Sequence, residues 1–116
     1  MKKIIITLLL VMLVGCSSKA SINKINYTNA VKLLETNAII IDVRTNEEYK
    51  NGHIENSINI PLGEIENIDF GKNENIILYC ESGNRSNQAS EILLELGYKK
   101  IYDLGSKNNW NEELVK

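Results

Sequence analysis

Short apolar runs and helical patterns alternate along this chain of 116 residues. Residues 38–43 form the clearest run, apolar on both faces of an extended chain, which is typical of a central strand in a parallel sheet. Residues 76–79 have the same character, and behind them four apolar residues recur at helical spacing: Ala89, Ile92, Leu93 and Leu96. Gly97 then provides a stop signal. The sequence therefore predicts a buried strand that leads through a polar loop into a helix.

Weaker patterns predict the remaining elements and the fold class. In chain order they are a strand within 22–27, a helix capped by Thr28 and ending near Asn37, a short helix over 47–49 capped by Thr45 or Asn46, a strand over 57–60, one or two helical turns over 64–68, a strand over 101–103 and a helix over 110–115. Strands that alternate with short helices imply parallel βαβ units. We therefore predict a three-layer α/β fold, with a mostly parallel sheet of about five strands and helices on both faces.

Length, charge and composition limit the classes of function that are possible for this chain. The length allows one domain. The formal net charge is −2, and the charged residues are scattered without a basic stripe, which excludes a nucleic-acid partner. One histidine and two cysteines are too few for a His-rich site or a cluster of cysteines with zinc spacing. We therefore predict no metal ion and no other cofactor.

The N-terminal segment is typical of an export signal. Lys2 and Lys3 precede an apolar run over 4–14, which is shorter than the roughly 20 residues that a membrane-spanning helix needs. Residues 13–16, Leu-Val-Gly-Cys, resemble the lipobox of bacterial lipoproteins. In that family the cysteine receives a lipid and becomes the new N-terminus after cleavage just before it.

The lipobox implies three segments: a signal peptide over 1–15, a lipidated Cys16 with a polar tether over 16–24, and a domain over 25–116. The domain is then expected to be extracytoplasmic and anchored to a membrane by its acyl chains. The alternative is an ordinary signal peptide, cleaved near Gly15 or Ala20, that releases a soluble protein.

Cys80 stands at the point where the strand over 76–79 ends and the loop into the next helix begins. Backbone N–H groups of such a loop can converge on the sulfur, and the helix dipole adds partial positive charge. Both effects favour the thiolate, which is the nucleophilic form of cysteine. If Cys16 carries lipid, Cys80 has no disulfide partner within the chain. We therefore predict a reactive cysteine; the alternative is a small buried core residue.

A second polar cluster follows the strand over 38–43. The carboxyl ends of parallel strands share one edge of the sheet, so Asp42 and Arg44 are expected beside Cys80. We interpret Asp42 as an acceptor for loop or helix N–H groups. Arg44 is spaced to meet Glu48 across the following turn. Both residues are therefore expected to be mainly structural.

Five short segments occur in an order that points to one family. They are Ile41-Asp42-Val43-Arg44, Glu47-Glu48-Tyr49, Gly52-His53-Ile54, Ile58-Asn59-Ile60-Pro61 and the loop over 80–86. With these segments, residues 25–110 resemble a single-domain rhodanese, a thiosulfate sulfurtransferase-like protein. The resemblance implies the rhodanese-like three-layer fold and a reaction in which Cys80 carries sulfur as a persulfide.

The resemblance also implies roles for the site residues. Cys80 attacks a small sulfur-containing anion such as thiosulfate, or a persulfide donor, and a thiol or cyanide acceptor then removes the sulfur. The residues that bind substrate are those of the loop, with Gly83 supplying a positive φ: Glu81, Ser82, Gly83, Asn84, Arg85 and Ser86. For Arg85, an ion pair with a carboxylate that fixes the loop is an equal and compatible alternative. The residues that support the site are Asp42, Arg44 and Glu48. No cofactor is implied.

Loop length and two departures from the family bear on the activity. The six residues from Cys80 to Arg85 match the sulfurtransferases, whereas related dual-specificity phosphatases have one more, so phosphatase or arsenate reduction is disfavoured. Glu81 places beside the nucleophile a carboxylate that disfavours the thiolate and the approach of a dianion. Ser106 stands where the family commonly has glycine, so a modified rim is expected. A non-catalytic carrier of sulfur or an anion, or a partner-docking module, stays open as the alternative.

Overall fold

The structure, a computed structural model, describes residues 20–116. The signal peptide predicted over 1–15, the lipidated Cys16 and the first part of the tether lie outside the described residues, so they stay predictions.

Five strands form one sheet in the order β1-β5-β4-β2-β3. They are β1 (Asn23–Lys24), β2 (Ile39–Asp42), β3 (Ile58–Asn59), β4 (Asn75–Cys80) and β5 (Lys100–Ser106). Every pair of neighbouring strands is parallel. Three helices pack on the sheet: α1 (Tyr27–Leu34), α2 (Asn46–Lys50) and α3 (Asn84–Glu95). Two 3-10 turns complete the described elements, at Leu62–Asn67 and Lys107–Asn109. The predicted α/β fold is confirmed.

Strand β4 lies at the centre of the sheet and is buried on both faces. Its side chains alternate between two apolar cores, as the two-residue period of a strand requires. Positions 76, 78 and 80 join the core that contains Ala89 and Leu93 of α3. Positions 77 and 79 join the core that contains Ala30 of α1. Each fully buried large apolar side chain stabilises the fold by about 1.5–3 kcal/mol, so both cores hold Cys80 at a fixed point.

A register shift between β4 and β5 shapes the edge next to Cys80. The pairing passes from Leu78 opposite Asp103 to Cys80 opposite Ser106, so β5 contributes one extra residue. Gly105 accommodates the shift with φ +85, in the left-handed region that glycine favours. Strand β5 thereby extends beyond the predicted strand over 101–103, and Ser106 lies opposite Cys80 in the sheet.

The predicted boundaries of α1 are wrong at both ends. Asn26 caps the helix in place of Thr28, because Asn26 and Asn29 cap each other reciprocally: Asn29 N–H donates to Asn26 Oδ1 at 2.9 Å, and Asn26 N–H donates to Asn29 Oδ1 at 3.3 Å. The helix ends at Leu34, before Asn37. Asn37 has φ 69, and this left-handed conformation does not continue a right-handed helix.

The helix predicted over 110–115 does not form. Val115 instead makes an antiparallel bridge with His53, in which each N–H donates to the other residue's carbonyl at 2.9 and 2.8 Å. Trp110 and Leu114 pack against the core that contains Ala30 of α1. These contacts hold the C-terminal segment against the domain although it is not helical. Within residues 20–116, no helix has both the length and the apolar character needed to cross a membrane.

Candidate active site

A loop of backbone amides faces the sulfur of Cys80. Gly83 N–H donates to Sγ at 3.0 Å and Ser86 N–H donates to it at 3.3 Å. Gly83 has φ +105, which confirms the predicted positive φ, and its carbonyl accepts a hydrogen bond from Ser86 Oγ at 3.1 Å. Helix α3 begins at Asn84, so the positive end of its dipole lies at the same loop. This arrangement stabilises an anionic sulfur.

The side chain of Cys80 is fully buried. Burial by itself fits the alternative interpretation of a small core residue, and Cys80 does belong to the core that contains Ala89 and Leu93 of α3. An ordinary core cysteine gives no reason for two amides to face its sulfur, because a thiol is only a weak acceptor. The sulfur is therefore both closed off from solvent and hydrogen-bonded by the backbone. A donor can reach it only if neighbouring groups move.

Arg85 is fixed by an ion pair with α2. Its guanidinium donates to both carboxylate oxygens of Glu48, with Nη1–Oε1 at 2.8 Å and Nη2–Oε2 at 3.1 Å. Thr45 caps α2, and its backbone N–H also donates to Glu48 Oε1, at 2.8 Å. The hydrogen bonds from Arg85 and then from Thr45 lower the pKa of Glu48 to about 2. The hydrogen bond with Glu48 raises the pKa of Arg85. The predicted pairing of Glu48 with Arg44 is therefore wrong.

Arg44 is buried and pairs with Asp42 instead. Its Nη2 lies 2.7 Å from Asp42 Oδ2, and its Nε contacts the two carboxylate oxygens at 3.0 and 3.1 Å. The backbone N–H of Arg44 donates to Asp42 Oδ1 at 2.8 Å, so Asp42 accepts a loop N–H as expected. Burial acts to lower the pKa of Arg44, but the hydrogen bonds and charge of Asp42, together with the hydrogen bond to Glu81, outweigh it and raise that pKa. Arg44 Nη2 also donates to Gly52 O at 2.7 Å.

Glu81 joins the cysteine loop to β2 and β5. Its carboxylate lies 3.2 Å from Arg44 Nη1 and 3.2 Å from Lys107 Nζ. Its carbonyl accepts a hydrogen bond from Ser106 Oγ at 2.8 Å. Lys107 was not among the site residues predicted from the sequence, although β5, which it follows, must end at the same edge of the sheet as β4. The negative charge of Glu81 is thus shared by two cations rather than left free beside the sulfur.

A cleft of about 490 Å³ lies beside this network. Residues from several segments line it: Arg44, Glu48, Asn51, Gly52, Glu81, Lys107 and Leu114. Each of its four charged side chains takes part in an ion pair. The cleft is therefore polar, carries both signs of charge and adjoins the loop that holds Cys80.

The other predicted loop residues, Ser82 and Asn84, are exposed on the outside of the loop. Among residues 20–116, no three His, Cys, Asp or Glu side chains come together as a metal site would require.

The fold and the loop define a class: a parallel sheet with a cysteine at the end of its central strand, held by an amide loop before a helix. The family model described as a rhodanese-like domain matches residues 26–113. The chain belongs to this family, as its resemblance indicated.

Individual relatives and structures agree with this assignment. The putative mitochondrial thiosulfate sulfurtransferase of Schizosaccharomyces pombe is 38% identical over 96 residues, which covers 69% of this chain and 68% of that protein. Thiosulfate sulfurtransferase PspE of Escherichia coli K12 is 44% identical over 69 residues, which covers 56% of this chain and 66% of that protein. The solved structure of a rhodanese with anions from E. coli superposes with a TM-score of 0.64 at 36% identity, over 68% of this chain and 98% of that chain. The match thus spans about two thirds of each of these two named relatives.

Proposed function

We propose that this protein is a sulfurtransferase in which Cys80 carries sulfane sulfur as a persulfide. The observation that carries the proposal is the pair of amides, from Gly83 and Ser86, that donate to the sulfur of Cys80. Membership of the rhodanese-like family and the names of two relatives support the same chemistry. Thiosulfate or a persulfide is the proposed donor, and a thiol or cyanide is the proposed acceptor.

The proposed reaction has two steps. The Cys80 thiolate attacks the outer sulfur of thiosulfate, a new S–S bond forms, and sulfite leaves with the electrons of the bond that breaks. An acceptor thiolate then attacks the outer sulfur of the persulfide, and Cys80 leaves as a thiolate. No oxidant or reductant is consumed, because electron pairs pass only between sulfur atoms. The amides of Gly83 and Ser86 stabilise the negative sulfur before and after transfer.

The buried position of Cys80 adds a requirement for access. The side chains of Arg85 and Glu81 are 32% and 45% exposed, whereas that of Cys80 is fully buried. Ion pairs at such exposure contribute only about 0–1 kcal/mol each, so they break readily. We infer that these two side chains move when a donor enters.

The decisive measurement follows the mass of the protein purified from bacterial cells. Incubation with thiosulfate is expected to add the mass of one sulfur atom, and cyanide is expected to remove it as thiocyanate. Cys80→Ser should gain no sulfur. Gln88→Ala, which changes an exposed side chain of α3, is the control and should behave like the wild type. A wild-type mass that thiosulfate leaves unchanged would contradict thiosulfate as the donor, and an unchanged mass with a persulfide donor as well would contradict the whole proposal.

The burial of Cys80 favours one alternative, a non-catalytic sulfur carrier or docking module. Repeated turnover of thiosulfate to thiocyanate supports the enzyme. Uptake of one sulfur without release to cyanide or a thiol supports the carrier.

We also propose that Cys16 is lipidated and that the domain is anchored outside the cytoplasmic membrane. The basic start, the short apolar run over 4–14 and the Leu-Val-Gly-Cys box support this. Cells grown with labelled palmitate are expected to label the wild-type protein but not Cys16→Ser. An unlabelled protein cleaved near Gly15 or Ala20 would contradict it.

A further inference from the structure

The carboxylate of Glu81 lies between two cations in the cleft beside the cysteine loop. Its Oε1 is 3.2 Å from Arg44 Nη1, and its Oε2 is 3.2 Å from Lys107 Nζ. All three residues line the cleft. The two cations come from different strands' ends, since Arg44 follows β2 and Lys107 follows β5. Together they form a binding site for a carboxylate, and its present occupant is a side chain of the protein itself.

The side chain of Glu81 can leave this site while its main chain stays in place. Ser106 Oγ donates to Glu81 O at 2.8 Å and accepts a hydrogen bond from Asn108 N–H at 3.0 Å, which fixes the backbone at Glu81. The side chain of Glu81 is 45% exposed, and ion pairs at such exposure are weak. Rotation of this side chain therefore empties the site without disturbing the loop that holds the sulfur.

Departure of Glu81 leaves one cation without a counter-charge. Arg44 keeps its ion pair with Asp42 at 2.7 Å. Lys107 has no such second partner, because within residues 20–116 the carboxylate of Glu81 is the one with which it forms an ion pair. The described residues carry a net negative charge, so attraction for an anion is confined to this site and depends on Lys107.

We propose that Lys107 and Arg44 bind the carboxylate of a small organic thiol, which accepts sulfur from Cys80. Glu81 occupies the site until this acceptor displaces it. The proposal rests on the proposed sulfur transfer and names the class of its acceptor. The cleft, at about 490 Å³, has the size of sites that hold small organic molecules, and Leu114 gives it an apolar wall for a carbon chain.

The transfer step itself needs no further group. The acceptor loses its proton to solvent and attacks the outer sulfur of the Cys80 persulfide as a thiolate. A new S–S bond forms, the bond to Cys80 breaks, and Cys80 keeps its electron pair as a thiolate. The acceptor leaves as an organic persulfide. Lys107 contacts only the carboxylate of the acceptor, so it determines which thiol is used and takes no part in the bond changes.

A matched pair of thiols tests the site. Protein loaded with one sulfur on Cys80 is mixed with β-mercaptopropionate or with β-mercaptopropionamide, which has a neutral amide in place of the carboxylate. The preference is the ratio of the two second-order rate constants for loss of that sulfur, followed by intact mass. Lys107→Gln should lower the preference about fivefold, as expected for one partly exposed ion pair. Glu81→Gln should raise it about threefold at low salt.

Two controls accompany these variants. Lys100→Gln changes an exposed lysine at the opposite end of β5 and should leave the preference unchanged. In the Glu81→Gln background, Lys107→Gln should still lower the preference about fivefold, because its contact is with the acceptor. The neutral thiol is an internal reference, since a folding defect slows both reactions and leaves their ratio unchanged.

The outcomes distinguish this site from sulfur transfer as such. If Lys107→Gln changes the preference only when Glu81 is present, Lys107 merely neutralises that carboxylate and the proposal is overturned. An equal effect on both thiols overturns it as well. Normal loading of Cys80 without any effect of Lys107 contradicts the acceptor site alone. A wild-type protein that gains no sulfur from thiosulfate or from a persulfide donor contradicts the sulfurtransferase and the acceptor site together.

Discussion

The backbone around the sulfur of Cys80 provides hydrogen bonds that could take the place of solvent around an anion. An unpaired charge in a protein interior costs several kcal/mol, and a hydrogen bond to a charged group returns about 1.5–3 kcal/mol. The amides of Gly83 and Ser86 provide two such bonds to Sγ. A third contribution comes from the dipole of α3, which begins at the same loop. A thiolate at this position therefore needs no side-chain partner in direct contact.

The charge of Glu81 is expected to reduce the use of thiosulfate, but only modestly. Its carboxylate is shared by Arg44 and Lys107, which screens its repulsion of a dianion. Glu81→Gln keeps the shape of the side chain, so kcat/KM for thiosulfate should rise about threefold at low salt, and the gain should shrink as salt is added. Glu47→Gln, on the exposed surface of α2, is the charge-matched control. An unchanged or lower kcat/KM in Glu81→Gln would assign Glu81 a purely structural role.

Asp42 is expected to stabilise the domain through Arg44. Asp42→Asn keeps an oxygen for the backbone N–H of Arg44 but leaves the buried guanidinium without its main counter-charge. The free energy of unfolding should fall by about 3 kcal/mol in urea denaturation, because breaking a buried pair strands the remaining charge. Asp69→Asn removes an exposed carboxylate and should change it by less than about 0.5 kcal/mol. Similar values for the two variants would show that Glu81 and Gly52 hold Arg44 sufficiently without Asp42.

At the scale of elements, the strands and helices with long apolar patterns could be predicted from the sequence. The choice between competing local or distant partners could not. Strands β2 and β4 follow from the sequence because burial on both faces requires an unbroken run of apolar residues. Helix α3 follows because its apolar residues recur at helical spacing. The cap of α1 was misplaced because Asn26 and Thr28 are both good capping residues, and only the reciprocal bond with Asn29 separates them. The prediction of a C-terminal helix was wrong because the pairing of Val115 with a residue distant in sequence, His53, outweighed the local helix propensity.

The candidate site was predictable where topology alone decides it. Parallel strands bring Asp42 and Cys80 to one edge whatever the details of packing. The ion-pair partners of Arg44 and Arg85 were not predictable, because each arginine lies within reach of several carboxylates once the edge of the sheet has formed. Glu48 therefore went to Arg85 in the structure, against the expected pairing with Arg44.

The loop between β4 and α3 depends on the left-handed conformation of Gly83. An added Cβ would meet nothing closer than Gly105 Cα at 3.9 Å, so the cost of Gly83→Ala comes from its φ of +105 and not from a clash. We expect a loss of about 1–2 kcal/mol in unfolding free energy and slower uptake of sulfur by Cys80, since the amide that donates to Sγ shifts.

Gly63→Ala is the matched control for this prediction. Gly63 has open space around its Cβ position and no positive φ, so the change should be neutral or slightly stabilising. A neutral Gly83→Ala with unchanged sulfur uptake would show that the loop does not rely on this conformation.

At the scale of the whole molecule, ion pairs at the carboxyl edge connect segments that are distant in the sequence. Arg85 with Glu48 links α3 to α2, and Glu81 links the cysteine loop to the end of β5 through Lys107. These contacts lie over two cores that are already packed, so they position the loop more than they hold the sheet together. Conditions that protonate the carboxylates are therefore expected to loosen the loop before the sheet unfolds.

The ion pair of Glu48 and Arg85 makes part of the stability depend on pH. The pKa of Glu48 is lowered to about 2 by the hydrogen bonds from Arg85 and Thr45. A carboxyl with a lowered folded-state pKa stabilises the fold above its unfolded pKa of about 4.3, and that contribution is lost as pH falls towards 2. Between about pH 5 and pH 2, the wild type should lose about 1 kcal/mol more unfolding free energy than Glu48→Gln, after discounting for partial exposure. Glu66→Gln, which removes an exposed carboxylate, should follow the wild-type curve. Parallel curves for the wild type and Glu48→Gln would mean that this pair adds nothing to folding, and that its effect is confined to fixing the position of Arg85.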